Sequence, residues 1–223
     1  MLGGLRAAMQ RLFTPLARLL LGWGVSPDAV TIAGTVVVSG LALTLLPTGH
    51  VLLGGLLIGL FVLTDSLDGV KARLSGRSGP WGAFLDSTLD RVSDGAVFAG
   101  ITLWFVLHPD LPYATWGVTA SLACLVLGAV VPYARARAES VGATAAVGIA
   151  ERSDRLLVAL LAVVLTQVGV PVVVAEVMLT LLAVASLVTV VQRVATVRRQ
   201  LSRTTPTEKP TEKHTEATPD PEA

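Results

Sequence analysis

All 17 lysines and arginines of this 223-residue chain fall in four places, and the stretches between them are apolar enough to cross a bilayer. A spanning helix needs about 20 mostly apolar residues. Six stretches qualify: about 29–46; 51 to Asp65, where the run turns polar; Gly82 to 107, with charges in its first turns; 113–134; 156–170; and 172–191. The fifth is the shortest and can begin as early as Glu151. The cations occupy the N-terminal segment, the second-to-third connection and its flanks (Lys71, Arg73, Arg77, Arg91), the fourth-to-fifth connection (Arg135, Arg137, Arg152, Arg155), and the end from Arg193 onward. The connections near 47–50, 108–111 and 169–171 carry none. Six helices with both termini in the cytoplasm put every cation on the inner side, as the positive-inside rule requires. The expected fold is all-α, with six transmembrane helices in the cell membrane.

Composition agrees. Charged residues make up 15% of the chain and hydrophobic ones 52%, with mean hydropathy +0.70, whereas a soluble domain carries about 25% charged residues. Three domains are expected. Residues 1–25 alternate Arg6, Arg11 and Arg18 with leucines and lack the compact apolar core of a cleavable signal, so they read as an amphipathic helix on the membrane surface. Residues 26–201 form the membrane domain, entered through the helix-start signal Ser26-Pro27-Asp28. Residues 202–223, rich in Thr, Pro, Glu and Lys, read as a disordered tail. The single cysteine, Cys124, lies in an apolar run and reads as a small packed side chain.

Against this background four aspartates stand out. Asp65 and Asp68 are three apart at the end of the second run; Asp86 and Asp90 are four apart at the start of the third. Either spacing puts both carboxylates on one helix face. The two helices are joined by a short connection and are expected to pack as antiparallel neighbours, which gathers four acids in one volume. One aspartate in mid-membrane costs about 2.5–3.5 kcal/mol on insertion scales; these lie nearer the interface, but four together also repel. Pairing with Arg73, Arg77 and Arg91 accounts for a single acid better than for all four. Hard oxygen ligands at this density suit Mg²⁺, Mn²⁺ or Ca²⁺ rather than zinc, and four carboxylates can serve two ions. Asp94 continues the series deeper in the helix and reads as a structural partner of Arg91. A small cation channel or transporter is the reading of another class. Against it, all four acids gather on one side and no polar stripe continues across the other spans.

The stretch DSLDGVKARLSGRSGPWGAFLDSTLD, from Asp65 to Asp90, fits D-x-x-D-G-x-x-A-R followed by G-x-x-x-D-x-x-x-D. Asp65, Asp68, Gly69, Ala72, Arg73, Gly82, Asp86 and Asp90 fill its fixed positions, and the stretch resembles the signature of the CDP-alcohol phosphatidyltransferases. The resemblance implies an enzyme that moves a substituted phosphate group from a CDP-activated donor, here CDP-diacylglycerol, in phospholipid biosynthesis. It implies that Asp65, Asp68, Asp86 and Asp90 ligate Mg²⁺ or Mn²⁺, two ions, and that Asp90 is also the base that takes the proton from the attacking hydroxyl. Gly69 and Ala72 would leave room for the nucleotide and Arg73 would hold the diphosphate. Asp28, Ala29, Val30, Thr31 and Gly79 join the implied nucleotide and lipid-donor contacts. A homodimer is also implied, and no nucleic-acid partner is expected.

The acceptor alcohol must be read elsewhere. Pro27-Asp28-Ala29-Val30-Thr31 is similar to the P-D-x-V-T form of an actinobacterial branch of the family whose acceptor is inositol phosphate. So are the connection PYARARAESVG…GIAERSDRL and VVQRV at the end of the sixth run. The likeness implies a pocket for the acceptor phosphate made by Arg135, Arg152 and Arg193. A phosphorylated acceptor is a dianion and needs several cations, which a neutral alcohol does not. That branch usually carries Lys where Arg135 stands, which keeps the charge and changes the geometry. The expected reaction is transfer of the phosphatidyl group to 1D-myo-inositol 3-phosphate with release of CMP; glycerol 3-phosphate, also anionic, is the alternative acceptor. Arg137 and Arg155 are assigned to topology, paired with Glu139 or Glu151.

Overall fold

The computed structural model describes residues 26–65, 79–149 and 152–204. The expected surface helix over residues 1–25 and the tail beyond 204 lie outside them. Among the described residues are six helices and no strand: α1 (Pro27–Leu45), α2 (Val51–Asp65), α3 (Pro80–Leu107), α4 (Ala114–Ser140), α5 (Arg152–Thr166) and α6 (Val172–Thr204).

Local chemistry sets several of the boundaries. Ser26 caps α1 by accepting the Ala29 amide at 3.2 Å, with Pro27 in the first turn, as the Ser-Pro-Asp signal requires. Gly79 caps α3 with extended backbone and Pro80 follows it. Two helices outrun their apolar stretches. Helix α4 continues to Ser140 and carries Arg135 and Arg137 on its last turns; α6 continues to Thr204 and carries Arg193, Arg198 and Arg199. Hydropathy marks where a helix leaves hydrocarbon, and the backbone goes on helical into the charged layer. The boundary expected at residue 202 therefore falls inside α6.

Packing follows a closed ring in the order α1, α3, α4, α6, α5, α2 and back to α1, with α3 also meeting α5 across the ring. Thus α2 packs against α1 and α5, and α3 against α1, α4 and α5. The expected side-by-side packing of α2 and α3 is not what the ring shows, because α1 lies between them along the bundle. The α1–α3 crossing is close enough that a Cβ at Gly100 would run into the Ala42 carbonyl. Small residues permit such approach between membrane helices. Ala42, Leu46, Val97, Phe98, Ile101, Phe105, Leu160, Val163 and Leu179 fill the interior.

The outer surface is apolar as well. Val36, Leu56, Val126, Leu181, Val184, Leu187 and Val191 are each half exposed or more, far beyond the patches a soluble monomer tolerates. Helices α1, α4 and α6 are long and apolar enough to cross a membrane, and α2 adds the shorter apolar run Val51–Val62. This is the surface of a multi-pass membrane protein.

Candidate active site

The first half of α3 carries an acidic stripe. Asp86, Asp90 and Asp94 follow at intervals of four on one face. Asp86 and Asp90 are half-buried, whereas Asp94, one turn deeper, is only 4% exposed. Asp65 ends α2; its side chain, and Asp68, Gly69, Ala72 and Arg73, lie outside the described residues.

Across the ring, the N-terminus of α5 answers that stripe with cations. Arg152 donates from Nε to Oδ1 of Asp94 at 2.9 Å, and its Nη2 lies 3.0 Å from Oδ1 of Asp90. The same Nη2 reaches Ser93 Oγ at 3.4 Å. Arg91 approaches from α3 itself, with Nη2 at 3.6 Å from Asp94 Oδ2 and 3.8 Å from Asp90 Oδ2. The expected Arg91–Asp94 pair is therefore present, yet the shorter and hydrogen-bonded partner of Asp94 is Arg152.

Arg155 is the residue that sequence reasoning misassigned. It is not a surface cation: it is 3% exposed, its Nη2 points to the Gly128 carbonyl at 3.5 Å, and it lies within electrostatic reach of Asp94, Arg91, Arg193 and Arg152, while Glu151, one of its two expected partners, lies outside the described residues. Glu139 is taken instead by Arg135 at 3.0 Å, one helical turn away, and Arg137 donates to Ser140. The signal that could have found Arg155 is its spacing: it follows Arg152 by three, the interval that puts both on the face of α5 turned to α3.

Arg193 closes the cationic side. From α6 it donates Nε to the Val147 carbonyl at 3.0 Å and Nη1 to the Val131 carbonyl, so it clamps α4 and the loop after it. Arg135, one turn beyond Val131, is within electrostatic reach of Arg193. That loop is fixed twice more: the Gln200 side-chain amide exchanges bonds of 2.8 Å with both the N–H and the C=O of Thr144, and the Ile149 amide donates to Thr189 Oγ1 at 3.3 Å. Arg152 thus stands at Asp90 and Asp94, Arg155 within electrostatic reach of Asp94 and of Arg193, and Arg193 within reach of Arg135, so that the four arginines form a chain running from α5 through α6 to α4.

At the first turn of α1, Asp28 accepts the indole N–H of Trp81 at 3.0 Å, which brings Asp28 and its neighbours Ala29, Val30 and Thr31 to the start of α3, two residues beyond Gly79. Nothing in the sequence around Trp81 marks it as a partner of Asp28, since the two lie 53 positions apart. The donor set suits a hard divalent cation. Asp86 and Asp90, the two α3 carboxylates of the motif, are half-buried and supply the hard oxygen atoms that such an ion takes.

A family model described as CDP-alcohol phosphatidyltransferase matches residues 24–191. A phosphatidylinositol phosphate synthase of Streptomyces avermitilis is 46% identical over 201 residues, covering 87% of this chain and 81% of that one. The crystal structure of the Mycobacterium tuberculosis phosphatidylinositol phosphate synthase with CDP-DAG bound matches with TM-score 0.76 and 42% identity, over 84% of this chain and 94% of that one. The same enzyme in complex with manganese and citrate matches with TM-score 0.75 at 42% identity, over 83% and 88%.

Proposed function

The chain belongs to the CDP-alcohol phosphatidyltransferase family, and on that premise we propose that it transfers the phosphatidyl group of CDP-diacylglycerol to 1D-myo-inositol 3-phosphate, releasing CMP. The observation that carries the acceptor is Arg152 Nη2 at 3.0 Å from Asp90: one arginine of the expected phosphate pocket touches the residue expected to act as base. Arg193 and Arg135, near each other on α6 and α4, supply the further charge that a phosphate dianion needs. The phosphatidylinositol phosphate synthases at 43–46% identity support the same acceptor.

In this reading Asp65, Asp68, Asp86 and Asp90 hold Mg²⁺ or Mn²⁺, two ions. When bound, the ions supply Lewis-acid charge to the diphosphate and to the departing CMP. Arg73 holds the diphosphate with its guanidinium fork, and Gly69 and Ala72 leave space for the nucleotide. Asp28, Ala29, Val30, Thr31 and Gly79 border it from the starts of α1 and α3. Asp90 takes the proton of the inositol hydroxyl as its oxygen bonds to the β-phosphorus and the bond to CMP breaks. The arginines hold the acceptor phosphate so that the hydroxyl is presented in line.

Six spans with both termini and the active site in the cytoplasm follow from the confinement of the cations. The protein works as a homodimer, with residues 1–25 on the membrane surface.

Purified protein given CDP-diacylglycerol, Mg²⁺ or Mn²⁺ and one acceptor at a time tests the reading. CMP release is expected with inositol phosphate and not with free inositol. Release with glycerol 3-phosphate and none with inositol phosphate would overturn the acceptor.

A further inference from the structure

Asp94 lies outside the motif that defines the reaction, yet it is the most buried carboxylate of the acidic stripe and faces three arginines. Its Oδ1 takes Arg152 Nε at 2.9 Å, its Oδ2 faces Arg91 Nη2 at 3.6 Å, and Arg155 lies within electrostatic reach. A planar guanidinium presents Nε and one Nη along a single edge. In Arg152 this edge is divided between two carboxylates one helical turn apart, Asp94 through Nε and Asp90 through Nη2, with Ser93 Oγ also at Nη2. With the edge held at both ends, the guanidinium plane has little freedom to rotate.

We propose that Asp94 is a positioning residue for the acceptor: it orients the Arg152 guanidinium beside Asp90, so that the acceptor phosphate and the base are held in one register. The proposal rests on the reading that Arg152 contacts the acceptor phosphate. A lysine at position 152 would supply charge but could not span both carboxylates, and an uncharged partner at position 94 would leave Arg152, Arg91 and Arg155 crowded without their shared counter-ion. A brace serving only to join α3 to α5 predicts something different: loss of Asp94 would lower stability and leave the kinetics of the folded fraction unchanged.

The experiment measures steady-state constants for both substrates and the thermal midpoint in detergent for wild type, Asp94→Asn, Arg152→Lys and the double variant. Asp94→Asn is expected to raise KM for the phosphorylated acceptor at least tenfold, with KM for CDP-diacylglycerol within twofold of wild type. On the Arg152→Lys background the same change is expected to add less than threefold, because the group it orients is already lost. Asp94→Glu, which keeps the charge, is expected to recover part of the acceptor affinity and serves if the Asn variant does not fold. An unchanged acceptor KM, equal rises for both substrates, or full additivity in the double variant overturns the proposal. The two readings fail separately: a wild type active only with glycerol 3-phosphate removes the inositol assignment, while the dependence on Asp94 is then read with that acceptor.

Discussion

The indole N–H of Trp81 donates to Oδ2 of Asp28 at 3.0 Å, joining the first turn of α3 to the first turn of α1 across 53 positions. Asp28 belongs to the segment that lines the proposed nucleotide site. The bond fixes the Asp28 rotamer, while the ring itself is 62% exposed and leans on Phe84 with centroids 6.0 Å apart. Trp81→Phe keeps that apolar contact and removes the donor. A hydrogen bond of this kind is worth about 0.5–1.5 kcal/mol, so KM for CDP-diacylglycerol is expected to rise about two- to tenfold with the acceptor KM unchanged. Steady-state kinetics on the purified variant check this.

Gly100 marks the closest backbone approach between α1 and α3, where a Cβ would meet the Ala42 carbonyl rather than a side chain that can move. Gly100→Ala is expected to cost about 1–3 kcal/mol by overpacking. Gly34→Ala on α1, where nothing lies within 4 Å of the added atom, is expected to be neutral or slightly stabilising through helix propensity. Thermal unfolding of both variants in detergent reads the contrast.

The apolar runs, the Ser26 cap and the acidic spacing were legible because each is set by residues a few positions apart. The order of helices around the ring was not, since faces of Val, Leu and Ala look alike whichever neighbour covers them. The short connection between the second and third runs suggested direct packing, but a link of 14 residues, 66–79, is long enough to let α1 stand between them. Arg155 was read as a topology cation because burial is a property of the partner helices: Gly128 of α4 and Asp94 of α3 make its surroundings. The roles of Asp68, Gly69, Ala72 and Arg73 rest on the motif, because residues 66–78 are outside the described structure.

Gln200 holds Thr144 as a neighbouring strand would, accepting from its N–H and donating to its C=O, both at 2.8 Å. This clasp pins the loop that offers the Val147 carbonyl to Arg193. Gln200→Ala removes both bonds at an exposed site, so the global cost is expected to stay near about 1 kcal/mol. The local effect is larger: hydrogen exchange at the Thr144 amide is expected to speed up at least tenfold, while amides in the middle of α4 keep their protection. Exchange measured by mass spectrometry on peptides covering 141–149 checks it.

Asp90 carries two duties in the proposed reaction, ligand and base, while also accepting Arg152 at 3.0 Å. Asp90→Asn keeps shape and a hydrogen-bonding oxygen for Arg152 but loses the charge and the proton acceptor. A positioned base contributes about 10²–10⁴-fold, so CMP release is expected to fall by at least that much, and further if an ion is lost. The folded state survives, because Asp94 still pairs with Arg152 at 2.9 Å. Chelation of divalent ions by EDTA is expected to abolish wild-type turnover, and Mn²⁺ or Mg²⁺ to restore it. Adding excess metal to the Asn variant is expected to restore binding of CDP-diacylglycerol in part and turnover hardly at all, since the proton of the acceptor hydroxyl still has no base. Turnover recovered to wild-type level by metal alone would show that Asp90 acts only as a ligand and that the base lies elsewhere.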